Sequence, residues 1–264
     1  MAAPVLGIDA AWTPNGSSGI AFVVPQGRGW RCAHVSSFVA PTGSPTDSPL
    51  IRSLLRSRAG RPAVVAIDIP LSRKSITGRR QADDCVSKEY GGRKCAVHSP
   101  TATRPGAISL RTVRGWEADG YQLATTDRAV GSALIEVYPH TGLLSLLKCK
   151  ERFPYKVARA RTFWKGDTHV RTGRLLMAFR QILDALERDI EGIDITLPNA
   201  SQTSTRELKE VEDQLDALVC AWTAIQHIKG RTSALGDASA AIWVPTDSLR
   251  SDDDRQGCLA SARA

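Results

Sequence analysis

Short apolar runs that close on a carboxylate mark the first half of the chain. Val5-Leu6-Gly7-Ile8 ends at Asp9, and Ala63-Val64-Val65-Ala66-Ile67 ends at Asp68, just before Ile69-Pro70. A compact apolar run bounded by turn residues predicts a strand buried in a sheet interior. Residues 19–24 and 30–39 follow turn-prone segments, Pro14 to Ser18 and Gly27-Arg28-Gly29, so residues 5–39 read as a β-meander. A further strand is predicted at 133–138, stopped by Pro139, and a last edge strand at 240–244. Helices are predicted at 50–58, 79–90, 155–164, 174–190 and 205–228. The last has the clearest pattern. Ser204 with Glu207 fits a capping box, and Leu208, Val211, Leu215, Leu218, Trp222 and Ile225 recur at three- and four-residue steps as one apolar stripe. Residues 41–49 read as a loop. Apart from the 79–90 helix, so does most of 72–121, where Gly, Arg, Thr and Pro replace any periodicity.

Strands come first and then alternate with helices, which predicts an α/β fold with a mixed central sheet and flanking helices, because parallel strands need crossovers. The expected organisation is one domain over residues 1–247, an inserted region at about 72–130, and a polar tail at 248–264.

Composition supports this picture. The chain has 264 residues, 42% of them hydrophobic, enough for a real core. No apolar run reaches the roughly 18 residues of a membrane span. The N-terminus lacks the basic start of a signal peptide. The six cysteines are scattered, which suggests reduced thiols. The expected address is therefore the cytoplasm, away from membranes.

The net charge of +8 is uneven. Residues 52–114 hold fourteen basic and four acidic side chains, and residues 148–174 hold nine and two, interleaved with Phe153, Tyr155, Phe163 and Trp164. Such segments suit a nucleic-acid partner through counterion release and base stacking. A basic solvated surface over an aromatic core is the other reading. Composition says nothing of the oligomeric state.

The candidate chemistry lies in the acids. Asp9 and Asp68 end apolar runs, and Asp216 enters the most apolar segment of the last helix, one turn after Asp213. Asp213 and Asp216 fall about 60° apart around the helix axis, on one face away from the centre of the apolar stripe. Asp is a poor strand former and costly to bury, so such a set calls for compensation. Divalent Mg²⁺ or Mn²⁺ supplies it, and two ions roughly 4 Å apart can drive phosphodiester hydrolysis.

This combination resembles the RNase H-like superfamily. Gly7-Ile8-Asp9 with its returning strand looks like that fold's first catalytic strand, and Asp213-Gln214-Leu215-Asp216-Ala217 resembles the Asp-x-x-Asp-Ala helix of Holliday-junction resolvases. Ala66-Ile67-Asp68-Ile69-Pro70, Glu136-Val137-Tyr138-Pro139 and Asp216-Ala217-Leu218 resemble more closely the predicted RNase H-like nucleases of domain of unknown function 429, over roughly residues 5–245. The resemblance implies Asp9, Asp68, Asp213 and Asp216 as metal ligands and catalytic residues, with Glu136 a further candidate. It also points to Arg80 and Asp83 as an Arg-x-x-Asp pattern, and to Lys156 within a Tyr-Lys element, on the substrate side. Residues 94–121 align less well with the family.

Other sites rank lower. Cys85, Cys95 and His98 lack a fourth zinc ligand, and His140 reads as a helix-start histidine before it reads as a proton shuttle. No phosphate-binding glycine loop is present. Three functions follow: a metal-dependent nuclease, a non-catalytic nucleic-acid-binding protein on the same fold, and an actin-like-branch phosphotransferase. The third lacks the glycine-rich turn after Asp9 that this branch usually shows.

Overall fold

The structure, a computed structural model, describes residues 3–57, 60–126 and 131–248. The chain opens with β1 (Val5–Asp9), β2 (Ser17–Gln26) and β3 (Gly29–Val39), followed by α1 (Pro49–Leu55), β4 (Val64–Asp68), α2 (Gln81–Tyr90), α3 (Ala107–Ala118) and β5 (Gln122–Leu123). Then come β6 (Ala133–Val137), α4 (Pro139–Leu146), the single turn α5 (Ala160–Phe163), α6 (Thr168–Leu186), β7 (Ile190–Glu191), α7 (Thr205–Ile228), β8 (Thr232–Gly236) and β9 (Ala241–Pro245).

Among the described residues, nine strands join one mixed sheet in the order β7-β3-β2-β1-β4-β6-β9-β8, with β5 beside β6. β1, β2 and β3 form the antiparallel meander, while β1, β4, β6 and β9 run parallel. The α/β fold with a mixed central sheet and flanking helices expected from the sequence is the one observed.

Alternation along the strands builds two cores. Val5, Ala21, Val64, Ala66 and Ile135 pack on one face under α6 and α7, and Leu6, Ile8, Ile20, Val65 and Leu134 pack on the other with Ile51 of α1 and Trp116 of α3. A third, smaller cluster joins Ala82, Val86 and Tyr90 of α2 to Ile242 and Val244 of β9.

Helix α7 lies directly on β1 and β2, and glycine makes that approach possible. A Cβ at Gly7 would collide with the backbone of Ala217 and Ala221, and one at Gly19 with the backbone carbonyl of Asp213. Gly7→Ala is expected to cost about 2–4 kcal/mol, because backbone has to move where no side chain can yield. A urea-denaturation midpoint within error of wild type would refute it.

The structure corrects several element predictions. Residues 240–244 are not an edge strand: β9 lies between β6 and β8, fully buried, and the unpredicted β8 forms the edge. Pro139 starts α4 as well as ending β6, since proline suits the first helical turn. Within the expected loop, α3 forms by burying Ile108, Val113 and Trp116. The 155–164 helix shrinks to a 3-10 turn and one α-turn. α6 begins earlier, at Thr168, because the Asp167 side chain caps the Val170 N–H. The predicted tail, Ser248 aside, lies outside the described residues.

Candidate active site

The parallel strands bring their C-terminal ends together at one edge of the sheet, the usual place for a site in such folds. Asp9 and Asp68 are paired neighbours on β1 and β4. They continue the Val5/Gly7 and Val64/Ala66 series, so both carboxylates face the α7 side, on strands about 4.8 Å apart. Among the described residues neither accepts a hydrogen bond or forms an ion pair. Burial raises both pKa values, with the Asp216 charge adding to it. Asp9 lies well above the usual carboxylate range, and Asp68 is pushed up to about 7.

Glu136 pairs with Ile67 rather than with Asp68, so it points to the opposite face. There Arg80 grips it with two bonds of 2.7 Å, and the Leu71 N–H donates to it at 2.7 Å. The same guanidinium donates to Asp83 at 2.7 Å, and Asp83 also accepts from the Arg80 backbone N–H at 2.8 Å at the start of α2. Asp83 and Glu136 are only 1% and 3% exposed. Arg80, Asp83 and Glu136 therefore form one buried ion cluster that ties α2 and the segment after β4 to β6.

Helix α7 separates its acids. Asp213 turns towards β2, where the Ser17 hydroxyl donates to it at 2.8 Å and Lys209 pairs with it. Asp216, fully buried, accepts from the Tyr155 hydroxyl at 2.5 Å and pairs with the Lys156 ammonium. Asp213 and Asp216, one turn apart on α7, thus hold different partners. Both are buried, and a different residue shares a lysine with Asp216. That residue is Glu212, one turn before Asp216. It accepts from Lys209 at 2.8 Å and from the Val157 N–H at 2.6 Å, and lies 3.4 Å from Lys156. Burial works against the charge on Glu212, but Lys156 and Lys209 outweigh it and hold its pKa below the ordinary value. Sequence reasoning missed Glu212 because Lys-Glu-Val-Glu-Asp reads as a solvated face. The available signal was its four-residue spacing from Asp216.

A cavity of about 760 Å³ opens over these groups. Asp9, Asp68, Glu136 and Glu212 line it, together with Lys156 and Lys209. Asp213 and Asp216 do not line it; the lysines they hold do. His98, Arg104, Arg152 and Arg159 line it as well. Among the described residues none of these four forms an ion pair. Arg104 lies 6.0 Å over the Trp12 ring. Arg152 donates to Nε2 of His140, and burial with the surrounding cations keeps that imidazole neutral. His140 is therefore a packed, Arg-bound side chain at the start of α4. Residues 94–121 supply His98 and Arg104, and so part of this lining.

Among the described residues, no three His, Cys, Asp or Glu side chains converge closely enough to hold an ion by themselves; this covers Cys85, Cys95 and His98 too. Asp9 and Asp68 nevertheless suit a divalent cation. They are hard oxygen donors, side by side, with free lone pairs in a cavity, and the remaining coordination positions can be water, as Mg²⁺ prefers. Among the described residues, no helix is long and apolar enough to cross a membrane.

No functionally curated protein matches the chain. Among solved structures, T. thermophilus RuvC in complex with Holliday junction substrate aligns over 91% of this chain and 99% of its own, at 12% identity and a TM-score of 0.37. A model of the family described as protein of unknown function (DUF429) matches residues 7–240, and the chain belongs to that family.

Proposed function

We propose that the protein is a metal-dependent phosphodiesterase acting on nucleic acid, with Mg²⁺ or Mn²⁺ held by Asp9 and Asp68. The observation that carries this reading is the lining of one cavity by two adjacent carboxylates without donors and by arginines without carboxylate partners. A bound divalent ion supplies Lewis acidity and a water of lowered pKa. The chain's own residues do the rest. Arg104, Arg152 and Arg159 take the phosphates, and the half-buried Trp12 offers a face to a base. The Arg80–Asp83–Glu136 cluster fixes the β4 and β6 ends, and the β1–β4 pairing sets the spacing of the two acids.

The test is Mn²⁺-dependent cleavage of single-stranded, duplex and hybrid oligonucleotides. Wild type is expected to cleave at least one class, and Asp9→Asn and Asp68→Asn none. Cleavage that persists in chelator, or in either variant, rejects the reading. Arg152→Ala with Arg159→Ala is expected to weaken substrate binding about ten-fold or more at low salt and to reduce its salt dependence; an unchanged salt slope would remove these arginines from the interface. The pairing of Asp216 with Lys156 favours a second reading, a nucleic-acid-binding protein without turnover. It predicts salt-sensitive affinity and no cleavage in wild type or variants.

A further inference from the structure

Four acids around Lys156 fall into two pairs with opposite hydrogen-bond status. Asp9 and Asp68 receive no donor among the described residues. Asp216 and Glu212 have no oxygen left without one: Tyr155 and Lys156 serve Asp216, while Lys209 and the Val157 N–H serve Glu212. Lys156 stands where the pairs meet. Its ammonium contacts Asp216, lies 3.4 Å from Glu212, and its charge also acts on Asp9 and Asp68.

Lys156 is also held in place, unlike a solvated lysine. The preceding Tyr155 is fully buried, with its ring edge-on to His140 at 5.5 Å. The following Val157 is tied through its N–H to Glu212. The ammonium itself sits 4.9 Å from the Tyr155 ring. Its neighbours therefore already restrict the side-chain freedom that a lysine normally loses on pairing.

We propose that the Lys156 ammonium occupies the second cation position of this site, so that the protein binds one divalent ion, at Asp9 and Asp68, beside a built-in organic cation at Asp216 and Glu212. This rests on the metal-dependent reading above and alters its two-ion form. A fixed ammonium supplies positive charge beside a phosphate without needing to be recruited from solution. It also closes Asp216 and Glu212 to a second ion unless Lys156 leaves.

Mn²⁺ alone, titrated into the full chain and followed by calorimetry and by the electron paramagnetic resonance of free Mn²⁺, tests this without any substrate. Wild type is expected to bind one ion. Lys156→Met, which frees one oxygen of Asp216 and removes the ammonium 3.4 Å from Glu212, is expected to bind two and to show spin coupling between them. Lys156→Arg, which keeps the charge, is expected to remain at one. Two ions in wild type overturn the inference and leave the metal-dependent reading standing. No ion in wild type overturns both. One ion in both wild type and a folded Lys156→Met also overturns the inference, since the lysine then blocks nothing. Should Lys156→Met fail to fold, the wild-type count decides alone.

Discussion

Asp68→Asn is expected to remove divalent-ion binding and, at the same time, to make the ion-free protein more stable. Both effects come from placing a second carboxylate beside Asp9 in a half-buried site with no donors. The folded Asp68 carboxyl keeps its proton up to about pH 7, whereas an unfolded aspartate loses its proton near pH 4. Across that window the unfolded state binds fewer protons, so stability falls as pH rises, and the whole penalty is present above pH 7. The shift corresponds to about 4 kcal/mol; screening by water in the cavity brings this to roughly 2 kcal/mol. Asparagine removes that cost, which for a chain of this size raises Tm by about 5 °C at pH 8 and by little at pH 4. Adding Mn²⁺ is expected to raise the Tm of wild type and leave that of Asp68→Asn unchanged. Thermal melts at the two pH values, with and without Mn²⁺, check all of this. A variant less stable than wild type at pH 8 would mean that Asp68 has a partner and is no vacant ligand.

The largest stability loss is expected at Arg80. Arg80→Met leaves Asp83 and Glu136 buried and without their shared cation, a change that typically costs about 3–5 kcal/mol. The loss reaches the candidate site, because Glu136 also accepts from the Leu71 N–H just beyond β4. Mn²⁺ affinity is therefore expected to fall with stability. Arg80→Lys should recover only part of the loss, since an ammonium cannot match the two-point grip on Glu136. The double variant Arg80→Met, Glu136→Gln should cost less than the sum of the single changes, because the charges left behind cause most of the damage. Urea denaturation of wild type, Arg80→Met, Arg80→Lys, Glu136→Gln and the double variant measures this. A single Arg80→Met within about 1 kcal/mol of wild type would show that the cluster contributes little.

Much of this arrangement can be read along the chain where signals are local. The runs ending at Asp9 and Asp68 announce strands, because few other contexts place an acid after four or five apolar residues, and the long helix follows from its stripe and its Ser204 cap. Elements that depend on distant partners are less visible. In α3, Ile108, Val113 and Trp116 are spaced among arginines, and Gly115 lies in close contact with Thr46, a constraint with no local sign. β8 is weakly apolar because it is the sheet edge, and β9 looks like an edge until β8 covers it. The candidate acids were readable one by one, but their partners were not. That Arg80 meets Glu136, or Lys156 meets Asp216, depends on how the strands order themselves. Glu212 escaped notice because its burial comes from the turn at Val157, more than fifty residues away.

The glycine contacts between α7 and the meander have a consequence for how this protein can change over generations. Where helix and strands meet main chain to main chain, the separation between them does not depend on the size of any side chain. Leucines and valines elsewhere in the interior can be exchanged or reshuffled without altering the distance from the Asp9 edge to the acids of the helix. Gly7 and Gly19 thus work as a mechanical stop. A library that randomises the apolar interior but spares these two positions should yield many functional members, whereas one that varies only these two should yield almost none.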